Sequence, residues 1–149
     1  MGQLSGAASV EIDAPLERVW EVVGDVLAAP QWQGGIDEVR PLEHDPEGRP
    51  TLVETVSDIK VRKLTARVRF HYEGPTRLWW TQEKGDMKAL EGAWELEALG
   101  PDRVSATYRL DADTGRVLGL VIRGPVEAAT RAMFVNGRPK ELKKRVESG

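Results

Sequence analysis

The residues of this chain that could carry chemistry are few. It has no cysteine, and its two histidines, His44 and His71, lie far apart in the sequence. Without a cysteine or a closely spaced histidine pair, we expect neither zinc nor another transition metal. No nucleophile–histidine–carboxylate set can be assembled, and neither glycine-rich phosphate fingerprint is matched. The sequence therefore predicts no metal and no cofactor.

Two tyrosines, Tyr72 and Tyr108, are the candidate catalytic residues. Each falls on the apolar side of an alternating strand pattern, and a phenol can donate a hydrogen bond or act as a general acid. An enolate forming in an apolar cavity needs a fixed donor or a positive charge. Arg67 and Arg69 fall on the polar side of their strand and cannot supply that charge. Two tyrosines alone do not define a catalytic site.

Seven strand-like runs, separated by turns rich in glycine and proline, must position these side chains. The predicted strands cover residues 8–13, 36–43, 51–60, 62–73, 77–84, 87–98 and 103–111, and the predicted helices cover 15–24, 27–32 and 119–147. The apolar face of the sheet has to be covered by the long last helix. We therefore expect an α+β helix-grip fold, in which a curved seven-stranded antiparallel sheet wraps around a long C-terminal helix and two short helices follow the first strand.

The alternation of side chains predicts which residues face the interior. Trp79 and Trp80 are adjacent, so only one can point inward, and matching Phe70 across the turn at Gly74 favours Trp80. Aromatic side chains from several elements should converge in the interior and line a small-molecule site. The predicted ligand-binding residues are Trp32, Phe70, Tyr72, Trp80, Trp94, Tyr108 and Met133.

Charge pairing suggests a register for the last two strands. A hairpin turning at Gly100 that sets Glu97 opposite Arg103 also sets Glu91 opposite Arg109. The same register sets Tyr108 opposite Gly92, where an aromatic ring would cover the bare backbone.

The C-terminal segment predicts how much room the interior has. An apolar stripe at helical spacing should face the sheet, and it consists of Leu118, Ile122, Val126, Ala129 and Met133. Ala128, Ala129 and Ala132 make this helix thin. The space they leave is either a cavity or a core filled by large side chains from the sheet. The sequence 136–139 (NGRP) should bend or interrupt the helix, which should then resume with Leu142 and Val146 facing inward.

The first quarter of the chain resembles a known superfamily. The residues that carry the resemblance are Val10–Pro15 (VEIDAP), Val19–Val23 (VWEVV) and Ala29–Trp32 (APQW). They look like the opening of START/Bet v 1-like proteins, in the polyketide cyclase/dehydrase branch, and the later elements follow in the same order. The resemblance implies a cavity for a lipid, polyketide or other aromatic molecule. Aromatase/cyclases of this group use polar and ionisable pocket residues, including arginine, but no motif here matches such a residue.

Length and charge limit the number of domains and the kinds of partner that this chain can have. At 149 residues, with a net charge of −3, the chain fits one domain spanning 1–149 and gives no electrostatic reason to bind nucleic acid. The N-terminal sequence lacks the features of a signal peptide, and no apolar run could span a bilayer. We therefore expect a cytoplasmic protein without stable membrane insertion, and the sequence identifies no protein partner.

Three functions stay open at this point. The first is binding or transport of a small hydrophobic ligand, with residues 31–35 as a movable lid. The second is a polyketide cyclase/dehydrase-type enzyme acting in the same cavity, which requires an inward ionisable group. The third is a protein-interaction module, which requires a large exposed apolar patch.

Overall fold

The computed structural model describes residues 2–148 and contains one seven-stranded antiparallel sheet. Its strands are β1 (Gly2–Ile12), β2 (Ile36–His44), β3 (Pro50–Asp58), β4 (Lys63–Glu73), β5 (Arg77–Gly85), β6 (Ala89–Gly100) and β7 (Arg103–Thr114). The spatial order is β1-β7-β6-β5-β4-β3-β2. Strands β2 to β7 thus form a meander, and β1 joins the sheet beside the last strand.

The helices follow the first and the last strand. Helix α1 (Leu16–Gly24), a 3-10 turn (Val26–Ala28) and α2 (Ala29–Trp32) come after β1. After β7 come α3 (Gly115–Val121), α4 (Pro125–Arg131), a π-helical turn (Ala132–Asn136) and α5 (Arg138–Glu147). The last three form one long C-terminal helix that lies against the sheet. The predicted α+β helix-grip fold is confirmed.

Side-chain alternation places the core on the concave face of the sheet. Every second residue of β7 from Val104 to Ala112 is buried, as the pattern predicts. In β5 the buried tryptophan is Trp80, which lies opposite Phe70 of β4 as expected. Trp79 points to the other face, where its indole stacks on His71 with ring centroids 3.8 Å apart.

The predicted register of β6 and β7 is wrong by two residues. Gly100 pairs with Arg103, a bulge follows between Ala98 and Gly100, and Glu97 then lies opposite Ser105. Tyr108 lies opposite Trp94 rather than Gly92. The turn is tighter than the one assumed, because Pro101 and Asp102 alone complete it. Arg109 still forms an ion pair on this face, with Glu95 at 2.7 Å.

Gly92 nevertheless has an aromatic cover, which a different strand supplies. Trp80 lies opposite Gly92 on β5, and a Cβ added to Gly92 would meet the Trp80 ring at 2.5 Å. No other residue type fits at this position without displacing the indole.

The C-terminal helix differs from its prediction in two ways. A break at residues 122–124, where Gly124 has φ +58° ahead of Pro125, separates α3 from the long helix. The π turn then adds a residue to the helical repeat and rotates the inward face. Leu118 and Ile122 are buried as predicted.

Beyond that break, the stripe that meets the sheet shares only Leu142 and Val146 with the predicted one. Its buried members are Thr130, Phe134, Arg138, Leu142 and Val146, together with Val135. Val126 and Met133 are half-buried, and the three alanines Ala128, Ala129 and Ala132 are exposed. The interior space of this protein is therefore not a consequence of a thin helix.

Candidate ligand cavity

An internal cavity lies between the concave face of the sheet and the helices. Its volume is about 150 Å³, and it opens to solvent through a mouth. A closed apolar cavity of roughly 150 Å³ holds a single aromatic ring, and the open mouth gives a larger ligand room to extend. Its apolar wall includes Val23, Val26, Ile36, Val39, Ile59, Leu64, Ala66, Val68, Leu78, Met87, Leu90, Leu110, Ala112 and Phe134.

A continuous row of aromatic rings forms the centre of this wall. Phe70 contacts Trp80 with ring centroids 5.5 Å apart, and Trp80 lies 5.7 Å from Tyr108. Tyr108 meets Trp94 edge-on at 4.7 Å. These tilted and edge-to-face geometries are the favourable ones for aromatic pairs. The adjacent strands β4 to β7 each supply one ring, so the shape of the row depends on the sheet rather than on a loop.

The structure brings four of the predicted ligand-binding residues to the cavity. Phe70, Trp80, Trp94 and Tyr108 all form part of its wall. Trp32 packs behind Trp94, with ring centroids 6.2 Å apart, and faces a separate surface depression beside Arg18. It is therefore a support for the wall rather than part of it.

The other two predicted residues also lie outside the wall. The Tyr72 hydroxyl donates a hydrogen bond to the carbonyl oxygen of Pro50, and the Arg49 guanidinium lies 4.8 Å from the Tyr72 ring. Met133 faces a second groove, between α4 and the β3–β4 loop at Ile59 and Val61. Neither side chain points at the space enclosed by the aromatic row.

Among the described residues of the cavity wall the one cation is Arg138, whose side chain is only 1% exposed. Its Nη1 atom donates to the Gly34 carbonyl oxygen at 2.7 Å and to Glu141 Oε1 at 2.8 Å. Its guanidinium lies over the Phe134 ring at 5.0 Å. The Nε–H group is buried and has no hydrogen-bond partner among the described residues. A buried donor left unpaired costs about 1–3 kcal/mol.

Sequence reasoning missed Arg138, although a signal for it exists. Residues 130, 134, 138, 142 and 146 recur at intervals of four, and Arg138 is the one charged member of this stripe. The alternation pattern of β4 excludes Arg67 and Arg69 from the interior, and it carries no information about an arginine on a helix. The neighbouring Gly137 and Pro139 directed attention to a bend in the helix, whereas the structure buries both Arg138 and Pro139.

Burial sets the protonation of the two tyrosines. Desolvation raises the pKa of Tyr108 above its ordinary value, and the nearby Arg138 guanidinium partly opposes that rise by its charge and a hydrogen bond. Desolvation also raises the pKa of Tyr72 to about 12. Both phenols therefore stay protonated at neutral pH, and Tyr108 can act as a donor inside the cavity.

The segment predicted as a lid is bound to the C-terminal helix. The Gly34 N–H donates to Glu141 Oε2 at 2.8 Å, while its carbonyl oxygen accepts from Arg138. Gly35 has φ +83°, and its carbonyl oxygen accepts a hydrogen bond from the Asp58 N–H. Opening this segment would require all three contacts to break.

Among residues 2–148, no group of three or more His, Asp or Glu side chains is placed to hold a metal ion. No helix within the same range combines the length and the hydrophobicity needed to cross a bilayer. On the surface, helix α3 exposes Val117, Leu120 and Val121.

The helix-grip fold is shared with solved structures of a START superfamily protein and of an aromatase/cyclase. Residues 12–137 match the family described as "Polyketide cyclase / dehydrase and lipid transport", and the chain belongs to that family. A comparison with curated protein sequences finds no match.

Solved structures share the fold at low sequence identity. A START superfamily protein from Mycobacterium smegmatis is 23% identical, with 99% of each chain covered and a TM-score of 0.82. An aromatase/cyclase from Streptomyces sp. R1128 is 18% identical, with 98% of this chain and 94% of that chain covered and a TM-score of 0.76. A protein from Thermus thermophilus is also 18% identical, with 99% and 98% covered and a TM-score of 0.79.

Proposed function

We propose that this protein binds and carries a small hydrophobic molecule in the cavity between the sheet and the C-terminal helix. The observation that carries the proposal is the enclosed apolar space faced by Phe70, Trp80, Trp94 and Tyr108. Concave sites of this kind, mostly apolar with a few fixed polar groups, are the usual form of small-molecule sites. Membership of the family supports the same proposal.

Filling the cavity tests this proposal. Ala66 lies in the cavity wall on β4, so Ala66→Leu adds three carbon atoms to the empty space. We expect N-phenyl-1-naphthylamine, a neutral dye that fluoresces in apolar surroundings, to bind the wild-type protein. We expect Ala66→Leu to weaken that binding roughly 50-fold, because its three added carbon groups compete with the dye for volume, at ~0.8 kcal/mol of lost burial per group. The measurement is a fluorescence titration.

The matched control is Ala128→Leu, which makes the same change at an exposed position of α4. It should leave dye binding unchanged. Organic extraction of the purified protein followed by mass spectrometry supplies an independent readout, since a carrier should retain a hydrophobic molecule. Absence of dye binding to the wild-type protein, or equal binding to both variants, would contradict the proposal.

A second candidate function is a polyketide cyclase/dehydrase-type reaction in the same cavity. The observation favouring it is that Tyr108 and Arg138 both form part of the cavity wall, as two buried hydrogen-bond donors. Such a pair could stabilise an oxyanion that develops on a bound carbonyl compound. Tyr108→Phe should then reduce turnover of a polyketide-like substrate while leaving its binding largely intact. Unchanged turnover would remove Tyr108 from this mechanism.

A further inference from the structure

We propose that the end of the molecule around α3 binds the surface of an anionic lipid bilayer, as a reversible peripheral contact without insertion of a helix. The part of the chain involved, called here the α3 surface, comprises residues 59–62, 86–88 and 115–125. The proposal concerns the outside of the protein and does not depend on what the internal cavity holds. Two observations carry it: a concentration of exposed apolar side chains, and a local excess of cations around them.

The three segments of the α3 surface meet at one end of the sheet. The Lys88 N–H donates to the carbonyl oxygen of Asp113 at 2.9 Å, and a Cβ added to Gly115 would lie 3.4 Å from the Lys88 Cβ. Helix α3 therefore begins against the β5–β6 loop. The Thr65 N–H donates to Asp86 Oδ2 at 2.8 Å and links this loop to the start of β4. The β3–β4 loop faces the first turn of α4 across the second groove.

The apolar side chains of the α3 surface point away from the core. On α3, Val117, Leu120 and Val121 recur at intervals of three and four and so share one side of the helix, whereas Leu118 is buried. Val61, in the β3–β4 loop, is 49% exposed. Four of the seven large hydrophobic side chains that are exposed within residues 2–148 therefore lie on this surface. Exposed apolar side chains that are concentrated in this way mark a site of interaction.

The charge of the α3 surface is opposite to that of the whole chain. Its exposed cations form no ion pair within the described part of the chain, and they are Lys60, Arg62, Lys88, Arg116 and Arg123. The one carboxylate in the three segments is Asp86, so their net charge is +4, against −3 for the whole protein. Just outside the surface, Asp58 and Asp113 accept backbone N–H groups from Lys60 and Gly115. The surface is therefore complementary to an anionic partner, and two copies of it would repel each other.

The residue types favour a bilayer over an acidic protein. Protein interfaces obtain most of their binding energy from tryptophan, tyrosine and arginine side chains that fill defined pockets. The exposed apolar residues here are valine and leucine, and the cations around them have no fixed partner. Aliphatic side chains that enter a bilayer to a shallow depth, with lysine and arginine reaching the phosphate groups beside them, suit an anionic lipid surface.

Vesicle flotation tests the proposal directly. We expect the wild-type protein to bind vesicles of equimolar phosphatidylglycerol and phosphatidylcholine. Binding to vesicles of phosphatidylcholine alone should be at least roughly tenfold weaker, because the cations then face no net negative charge. Added salt should weaken binding to the anionic vesicles, because it screens exposed charges. Equal binding to the two kinds of vesicle, or no binding to either, would overturn the proposal.

A pair of charge variants tests whether the α3 surface is responsible. Arg116→Gln combined with Arg123→Gln should weaken binding to the anionic vesicles roughly 30-fold, since each cation near such a surface contributes about fivefold. The matched control is Lys140→Gln combined with Lys144→Gln, which makes the same change in net charge on α5. This helix exposes both lysines but no large apolar side chain. Lys140 lies about 20 Å further along the C-terminal helix than Pro125, beyond the Debye length, so the control should bind almost as the wild type does.

A second pair of variants tests the apolar contribution. Leu120→Ser should weaken binding roughly tenfold, because its apolar atoms no longer enter the lipid. Leu99→Ser makes the same change at another exposed leucine, at the opposite end of β6 from Lys88, and should leave binding unchanged. All the substituted residues are exposed, so far-UV circular dichroism should show the native fold in every variant.

The remaining outcomes contradict the proposal. Equal losses in the test and control variants would mean that binding follows the net charge of the protein rather than the α3 surface. Binding to polyglutamate without binding to anionic vesicles would assign this surface to an acidic protein instead of a bilayer.

Discussion

The two tyrosines of this chain are the residues whose ionisation the fold changes most clearly. Burial raises the pKa of Tyr72 from 10.0 to about 12 and raises that of Tyr108 as well. An unfolded chain would lose both phenolic protons near pH 10, whereas the folded chain keeps them. Their contribution to stability is therefore fully present below pH 10 and is lost as the pH rises above it.

This difference predicts alkaline unfolding that is coupled to tyrosine ionisation. The free energy of unfolding should fall steadily between about pH 10 and pH 12. Absorbance of the phenolate at 295 nm, recorded with far-UV circular dichroism, should rise only as the protein unfolds. Tyr72→Phe should make the fall shallower, because one of the two phenols is removed. A simple titration near pH 10 with the fold intact would contradict the prediction.

Among the elements, β5 and β6 depend on one residue without a side chain. A Cβ on Gly92 would lie 2.5 Å from the Trp80 ring, and this ring is packed between Phe70 and Tyr108. We expect Gly92→Ala to destabilise the protein by about 1–3 kcal/mol, as overpacking does. The measurement is urea unfolding followed by tryptophan fluorescence.

Gly100, at the end of the same strand, is the matched control. A Cβ added there meets nothing within 4 Å. Gly100→Ala should therefore change the free energy of unfolding by much less than Gly92→Ala. Equal losses for the two variants would show that glycine's backbone freedom, rather than the approach of Trp80, is what matters at Gly92.

Strands β6 and β7 show which structural features the sequence pattern predicts and which it does not. Alternation identified the inward face of β6 and β7 correctly, because a register error of two residues leaves every side chain on its own face. It did not identify the partner of Gly92 or the bulge before Gly100. Both depend on turn geometry, and surface charge pairs specify that geometry weakly because each is worth only a few tenths of a kcal/mol.

The helical part was predicted less completely for a related reason. The positions of Leu142 and Val146 follow from simple periodicity and are confirmed. The residues around the π turn do not follow the ordinary period of an α-helix. One added residue in this turn rotates the helix before the turn relative to the helix after it. This is why Phe134 and Arg138 were missed as inward residues. The break between α3 and α4 lies at Gly124-Pro125, a pair typical of turns, and the prediction of one helix over 119–147 missed it.

On the scale of the whole molecule, the two ends of the chain hold each other in place. Strand β1 pairs with β7, and α5 packs against both β1 and α1. Helix α5 also binds the segment after α2 through Arg138 and Glu141. The core is therefore closed only when elements from both ends of the chain are in position.

This arrangement predicts a single cooperative unfolding transition. Tryptophans lie on α1, α2, β5 and β6, whereas far-UV circular dichroism reports on the sheet and all helices together. The two signals should give coincident urea curves, with a slope in the range of about 1–3 kcal/mol per molar urea that small domains show. Separate midpoints would mean that the C-terminal helix or β1 unfolds on its own.

Strand β2 is the edge strand of the sheet on the side away from β1, and its residues disfavour pairing with a second copy of the protein. Pro41 offers no N–H to an incoming strand, and the pairing with β3 is irregular near Glu38 and Glu43. A second copy approaching this border would meet misaligned acceptors and like charges. Many copies can therefore crowd together as separate particles without growing into ribbons.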